Sequence, residues 1–241
     1  VPTDVTLPAG EAAELVAAAS KRVAEGFTTL KIKVGADPEG DLDRIKAVRE
    51  AVGGDVALRL DANQGWERKQ AVRIVSAMED AGLGVELVEQ PTNERSLDDL
   101  AYVTSHVATP ILADESVRTP RDLTRIISSG AADAVNVKLA KCGGLRAARA
   151  MLETARQHGV GTTIGSMMEG RIGVAAAASL AAACGITIMA DLDAAWWLRE
   201  SDEALRYQDG VLHLDTGPGL SFITFPPEGD LPRRADDGDP G

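Results

Sequence analysis

The chain has 241 residues, of which 44% are hydrophobic and 26% charged, and 37 acidic against 25 basic residues give a net charge of −12. This acidic balance argues against nucleic acid or an anionic membrane surface as a partner. No apolar run of about 18 residues and no charged-then-apolar leader occurs, so the sequence predicts neither a membrane span nor an export signal. Two cysteines make no disulfide framework, which favours a reducing compartment, and we expect a cytoplasmic protein.

Apolar runs alternate with longer segments of helical periodicity along the chain. The eight runs that predict strands are 5–7, 30–34, 56–61, 85–89, 111–114, 134–138, 161–164 and 186–191. Seven segments between them predict helices, among them 11–25, 41–52, 67–81 and 144–158. Glycines, which tolerate left-handed conformations, stand where helices should end, at positions 26, 53, 82, 130 and 159.

This alternation predicts an α/β protein with parallel strands, and eight such strands favour a closed TIM-type barrel over an open doubly wound sheet. No glycine-rich phosphate loop follows the first strands, which disfavours the open sheet further. We expect one barrel domain over 1–225. From about Pro226 the chain is rich in Pro, Gly, Asp and Arg, which predicts a disordered tail over 226–241.

Charged residues recur where five successive strands end, which is the face that carries the active site in barrels of this kind. They are Lys33, Asp61, Glu89, Asp114 and Lys138, at steps of 28, 28, 25 and 24 residues (33 to 61, 61 to 89, 89 to 114, 114 to 138). Three converging carboxylates suit a hard divalent cation such as Mg²⁺, and the lack of Cys or His at these ends disfavours softer metals. Taken singly, each carboxylate has an alternative role in pairing with the helix N-terminus that follows.

The lysines predict proton chemistry at the same face. Lys31 and Lys33 point to one side, since strand residues two apart share a face. A neighbouring ammonium or a nearby divalent cation lowers the pKa of a lysine, which predicts Lys33 as a general base and Lys31 as the neighbour that tunes it. Lys138 lies across the barrel mouth, so the two lysines would remove and return a proton on opposite faces of a substrate. The alternative is a phosphate or carboxylate clamp, or salt bridges to the carboxylates.

Five motifs together resemble those of the enolase superfamily, specifically its muconate-lactonizing subgroup, from about residue 5 to about residue 225. They are KIK (31–33), DANQGW (61–66), VEQP (88–91), ADES (113–116) and NVKLAKCGG (136–144). The resemblance implies a (β/α)7β barrel in which Mg²⁺ is held by Asp61, Glu89 and Asp114 and in which Lys33 and Lys138 form the acid/base pair. Residues that would support these groups are Asn63, Glu115 and Asn136. Lys141 matches no catalytic role.

The end of the last predicted strand narrows the resemblance to one chemistry. Asp191 and Asp193 resemble the Asp-x-Asp element of the dipeptide epimerases, including the Ala-Glu epimerases, in which these carboxylates hold the N-terminal ammonium of the substrate. The segment 165–173 also resembles that family and contributes Met168 and Glu169 to the predicted substrate site, together with Lys31. The alternatives are a helix N-cap for Asp191 and a solvated loop acid for Asp193.

The resemblance implies a Mg²⁺-dependent dipeptide epimerase, which inverts the α-carbon of the C-terminal residue through an enediolate by 1,1-proton transfer between two lysines. A muconate-type cycloisomerase, an N-acylamino acid racemase or an o-succinylbenzoate synthase would use the same lysines and metal. An inactive metal-binding barrel fragment is the alternative of another class. Enzymes of the family carry an N-terminal capping domain, which we expect in cis or as a missing segment, and we expect a homo-oligomer.

Overall fold

A computed structural model describes residues 1–198, 205–214, 217 and 219. Seven parallel strands form one sheet in sequence order: β1 Val5–Leu7, β2 Thr29–Lys33, β3 Ala57–Asp61, β4 Val85–Glu89, β5 Ile111–Ala113, β6 Ala134–Lys138 and β7 Gly161–Gly165. The helices are α1 Ala12–Ala24, α2 Pro38–Val52, α3 Arg68–Asp80, α4 Leu97–Thr104, α5 Pro120–Ser129, α6 Leu139–Cys142, α7 Leu145–Gln157, α8 Arg171–Cys184 and α9 Ala194–Trp197. The predicted boundary at 225 and the predicted tail lie outside the described residues.

The sheet closes on itself through the segment predicted as the eighth strand. This segment is not a continuous strand, because the amides of Thr187 and Ile188 both donate to the carbonyl of Thr162 and bend the chain before it reaches the barrel wall. It then pairs through single bridges, with Ala190 beside β1 and Asp191 beside β7. The predicted (β/α)7β barrel is therefore confirmed, although its last strand is reduced to two bridges.

The predicted helices lie within a few residues of their expected bounds. Helix α2 begins three residues earlier than predicted because Pro38, which lacks an amide donor, occupies the first turn. The glycines at the predicted helix ends have positive φ. Gly130 ends α5 in the left-handed conformation, and its amide donates to the carbonyls of Ile126 and Ile127 in the last turn. Within the described ranges, no helix is both long and apolar enough to cross a membrane.

Two layers of apolar side chains hold the barrel. The larger lies between the strands and the surrounding helices and includes Leu30, Leu58 and Val135, which are fully buried. The smaller lies inside the barrel and consists of Leu87, Leu112 and Ala134 with Ile188 against them. Since strand residues alternate between these layers, the interior positions further along each strand are free to carry the charged groups.

A short antiparallel hairpin, β8 Arg206–Gln208 and β9 Val211–His213, was not predicted. It packs against the start of the chain, where Val1 and Leu212 bond to each other in both directions. The Tyr207 hydroxyl donates to the carbonyl of Leu192 at 2.6 Å. The hairpin therefore fastens the segment that carries Asp191 and Asp193.

Candidate active site

The strand register brings the predicted residues to one level at the C-terminal end of the barrel. Lys33 is in register with Asp61, and Asp61 with Glu89. Across the barrel, Lys138 is in register with Gly165, which bridges to Asp191. These strand ends surround a cavity of about 620 Å³, lined among others by Lys31, Lys33, Asp114, Lys138, Asp191 and Asp193. Below the cavity surface lie Asp61, Glu89 and Asn136, each at most 1% exposed.

On the β2 side, Lys33 reaches a buried carboxylate from a half-open position. Its Nζ donates to Oδ2 of Asp61 at 2.6 Å and to Oδ1 of Asn63 at 2.8 Å. The Asn63 amide in turn donates to Oε1 of Glu115 at 3.1 Å. Asn63 has φ of 41°, a left-handed conformation that asparagine tolerates better than most residues, and this backbone carries its side chain between Lys33 and Glu115.

On the β6 side, two ammonium groups share one carboxylate. Lys138 donates to Oδ2 of Asp114 at 2.8 Å, and Lys141 donates to Oδ1 of the same residue. Burial raises the pKa of Asp114, but the two lysines hold it below its ordinary value. Burial likewise lowers the pKa of Lys138, and Asp114, Asp191 and Glu89 raise it above its ordinary value. Lys141 therefore belongs to the site; its place one helical turn after Lys138 was the sequence signal.

Lys31 is the central cation of the site. Its Nζ lies 2.6 Å from Asp191, 3.6 Å from Glu89 and 3.9 Å from Asp61, and the residue is 4% exposed. Burial would raise the pKa of Asp191, but Lys31 and Lys138 hold it below its ordinary value. The predicted alternative of Asp191 as a helix N-cap is wrong, since this carboxylate belongs to Lys31.

Asn136 connects Glu89 to the last strand position. Its amide nitrogen donates to Oε1 of Glu89 at 2.9 Å and to Oδ2 of Asp191 at 3.3 Å. A Cβ at Gly165 would lie 2.6 Å from the amide oxygen of Asn136 and 3.0 Å from Asp191, so this position needs glycine. The predicted supporting role of Asn136 thus has a definite geometry.

Asp193 is buried and is therefore not a solvated loop acid. It precedes α9 without capping it through its side chain, and it is 7% exposed. Its Oδ2 accepts from the amide of Thr6 at 2.7 Å and from Nε1 of Trp197 at 3.0 Å. Trp197, which the sequence analysis did not assign to the site, lines the cavity and holds Asp193.

Gln90 is a further site residue that sequence reasoning missed. Its side-chain oxygen accepts from the amides of Asp114 and Ser116 at 3.0 and 3.1 Å, and its φ is 37°. This strained backbone directs the Gln90 side chain, which follows β4, towards the end of β5. Its two hydrogen bonds there fix the loop that begins at Asp114. The Gln-Pro pair within VEQP was the signal at this position.

The two residues predicted in the loop after β7 separate in the structure. Met168 lines the cavity and is 75% exposed. Glu169 lines a neighbouring cavity instead, and its carboxylate accepts from the amide of Met167 at 2.9 Å. This loop turns back after Met168, so Glu169 shapes the loop and lies away from the cavity that the lysines share.

The carboxylates of β3, β4 and β5 fit a hard cation by their chemistry. Asp61, Glu89 and Asp114 are oxygen donors, each at most 4% exposed. The pKa of Glu89 is raised to about 8, mainly by burial; Lys31 acts to lower it, and the nearby carboxylates of Asp61 and Asp114 contribute to the rise. With the side chains in these positions, no group of three or more Asp, Glu, His or Cys in the described ranges is arranged so that it could hold a metal ion. The lysine ammonium groups lie against these carboxylates and would have to separate from them.

The chain matches the family model described as Enolase C-terminal domain-like over residues 14–224. It is 42% identical over 224 residues to the L-Ala-D/L-Glu epimerase of Bacillus subtilis, covering 92% of this chain and 61% of the relative. It is 46% identical over 197 residues to the hydrophobic dipeptide epimerase of Enterococcus faecalis, covering 81% of this chain and 55% of the relative. A substrate-liganded structure of the Bacillus subtilis enzyme superposes with a TM-score of 0.89 at 42% identity, covering 91% of this chain and 62% of that one.

These similarities agree with the motifs at the strand ends and with the barrel itself. The chain spans 55 to 61% of the length of these two curated relatives, so the likeness concerns their barrel portion. The match to the family model covers nearly all of the described residues. This chain belongs to the Enolase C-terminal domain-like family.

Proposed function

We propose that this chain is the catalytic barrel of a Mg²⁺-dependent dipeptide epimerase, which inverts the α-carbon of the C-terminal residue of its substrate. One observation carries the proposal: Lys33 and Lys138 enter one cavity from β2 and β6, on opposite sides of a floor of buried carboxylates. Two amines that face each other across a bound α-carbon are what a 1,1-proton transfer needs. The similarity to named epimerases supports the same reaction.

The two lysines divide the proton transfer between them. In each direction, the unprotonated amine of one lysine takes the α-proton, and the ammonium of the other returns a proton to the opposite face of the enediolate. The electron pair of the broken C–H bond moves into the enediolate and returns to carbon when the new bond forms. Asp61, Glu89 and Asp114 would hold Mg²⁺, whose chemistry when bound is to stabilise the second negative charge of the deprotonated substrate carboxylate.

The Asp-x-Asp element would set the register of the substrate. Asp191 and Asp193 line the same cavity as the lysines, on the side of the last strand. A free N-terminal ammonium held there would leave the C-terminal residue of a dipeptide over the carboxylate floor. This element also favours dipeptides over substrates that have no amine.

A cycloisomerase is the second candidate, because the chain is also 37% identical over 196 residues to muconate cycloisomerase 1 of Rhodococcus opacus. That reaction would use the same lysines and the same carboxylates. It gives no role to Asp193, whose buried charge has no cationic partner in the described part of the chain. A racemase of N-acylated amino acids is disfavoured by the same carboxylate.

Deuterium incorporation tests the proposal. The protein, expressed with whatever its gene encodes before Val1, would be incubated in D₂O with Mg²⁺ and a library of L,L-dipeptides. We expect a gain of one mass unit that is confined to certain C-terminal residues and is lost when Lys33 and Lys138 are both replaced by alanine. No exchange in any dipeptide by a folded, Mg²⁺-binding protein would overturn the epimerase assignment, and turnover of a muconate would then select the cycloisomerase.

A further inference from the structure

The buried carboxylates of the site differ in whether a cation of the protein faces them. Asp61, Asp114 and Asp191 each accept a hydrogen bond from a lysine ammonium, at 2.6, 2.8 and 2.6 Å. Asp193 is buried to a similar degree, yet no Lys, Arg or His in the described ranges forms an ion pair with it. A buried carboxylate without a cation is costly, so Asp193 is the member of the group best suited to a cation supplied by a ligand.

Two N–H groups hold Asp193 from one side only. The amide of Thr6 and the indole nitrogen of Trp197 both donate to Oδ2. Oδ1 accepts no hydrogen bond from the described residues, and Asp193 lines the cavity. The carboxylate is thus fixed through one oxygen and keeps the other for a ligand.

Trp197 itself belongs to a cluster of aromatic rings that packs against the last turn of α1. Its ring meets that of Trp196 edge to face at 4.8 Å and 90°. The guanidinium of Arg22, in the last turn of α1, lies 4.5 Å from the centre of the Trp196 ring and 5.5 Å from that of Trp197. Arg22 is 7% exposed, which strengthens such cation–π contacts because little water competes for the charge. Phe27 closes the cluster against Trp196 at 5.7 Å.

We propose that Trp197 is a positioning residue for Asp193 and that Arg22 holds Trp197 in place through these rings. This positioning role rests on the proposed function, in which Asp193 faces the ammonium of the dipeptide N-terminus.

Trp197→Phe tests the proposal, because it keeps a six-membered aromatic ring beside Arg22 and removes the indole N–H together with the five-membered ring that carries it. With a dipeptide that the wild type exchanges, we expect KM to rise about tenfold while kcat changes less than about twofold, since the substitution loosens the anchor and leaves the lysines in place. Trp66→Phe is the matched control. It also removes one indole N–H from a buried carboxylate, here Asp41 at 3.0 Å, on a different loop. We expect it to leave KM unchanged.

A spectroscopic measurement separates positioning from general loss of structure. In a ¹⁵N-tryptophan spectrum, the indole resonance that is absent in Trp197→Phe should shift on adding the dipeptide and stay in place with its N-acetyl derivative. Arg22→Met should also raise KM. Arg22→Lys, which keeps the positive charge, should raise KM less than Arg22→Met does. An unchanged KM in Trp197→Phe, or an equal rise in Trp66→Phe, would overturn the positioning role while the epimerase stands. A wild type inert towards every dipeptide would overturn both.

Discussion

The two sides of the barrel mouth hold their lysines in different ways. The side chain of Lys33 is 35% exposed and is bound by one buried carboxylate and one amide. The side chain of Lys138 is 8% exposed, and its only carboxylate within hydrogen-bond distance, among the described residues, is shared with Lys141. A pair of lysines that looks symmetrical in the sequence is therefore unequal in burial and in support, so substitutions on the two sides should have unequal effects.

The largest expected effect comes from removing either lysine. Lys33→Ala and Lys138→Ala should each lower epimerisation by about 10³-fold, because one face of the α-carbon loses its only acid/base group. Each variant should still exchange the α-proton of one enantiomer with solvent, and the two variants should differ in which one. Mass and chiral analysis in D₂O measures both properties. Epimerisation that survives in both single variants would exclude the two-lysine assignment.

The next effect compares the carboxylates that face the lysines. Asp114→Asn should lower the free energy of unfolding by about 3 kcal/mol, because Lys138 and Lys141 are both left buried without their charge partner. Asp61→Asn should cost less than about 1 kcal/mol, because Lys33 can turn towards solvent and Lys31, 3.9 Å from Asp61, keeps its nearer partner Asp191 at 2.6 Å. Urea unfolding of the two variants at the same pH measures the difference. Equal losses would show that the burial of the two sides does not control their stability.

The smallest effect concerns the amide beside Lys33. Asn63→Ala removes the acceptor that orients Lys33 at 2.8 Å and leaves Lys138 untouched. We expect about tenfold slower exchange of the enantiomer that depends on Lys33, since a misplaced base loses rate steeply with distance. Exchange of the other enantiomer should be nearly unchanged. If both enantiomers slow equally, Asn63 acts on the whole site instead of on one lysine.

The sequence was most informative where one residue per βα unit repeats. The register of Lys33, Asp61 and Glu89 follows directly from the spacing, because parallel strands bring equivalent positions to one level. Residues whose role depends on contacts between distant segments were not accessible in this way. Arg22 and Trp197 are separated by most of the chain, and neither has a neighbour in the sequence that indicates the ring contact.

Local conformation explains the remaining differences. The predicted last strand fails as a strand because two successive amides turn to one carbonyl, a choice that apolar composition does not encode. Glu169 lies within a motif that resembles the epimerases, yet the turn of its loop directs it to the amide of Met167. The motif resemblance correctly indicated the loop after β7 as part of the site. The backbone geometry of that loop determines that Met168 reaches the cavity and Glu169 does not.

The closure of the barrel by single bridges has a consequence for how the protein opens. Strands β6 and β7 are joined over five register positions, whereas Ala190 and Asp191 each meet their neighbouring strand at one. Local opening should start at this seam, so the amides of Asp4, Asp191 and Ser166, which cross it, should exchange with deuterium before those of β6. Because Asp191 and Asp193 lie along the seam, a ligand that bridges them would also fasten the barrel shut, and slower amide exchange there would report binding without any turnover.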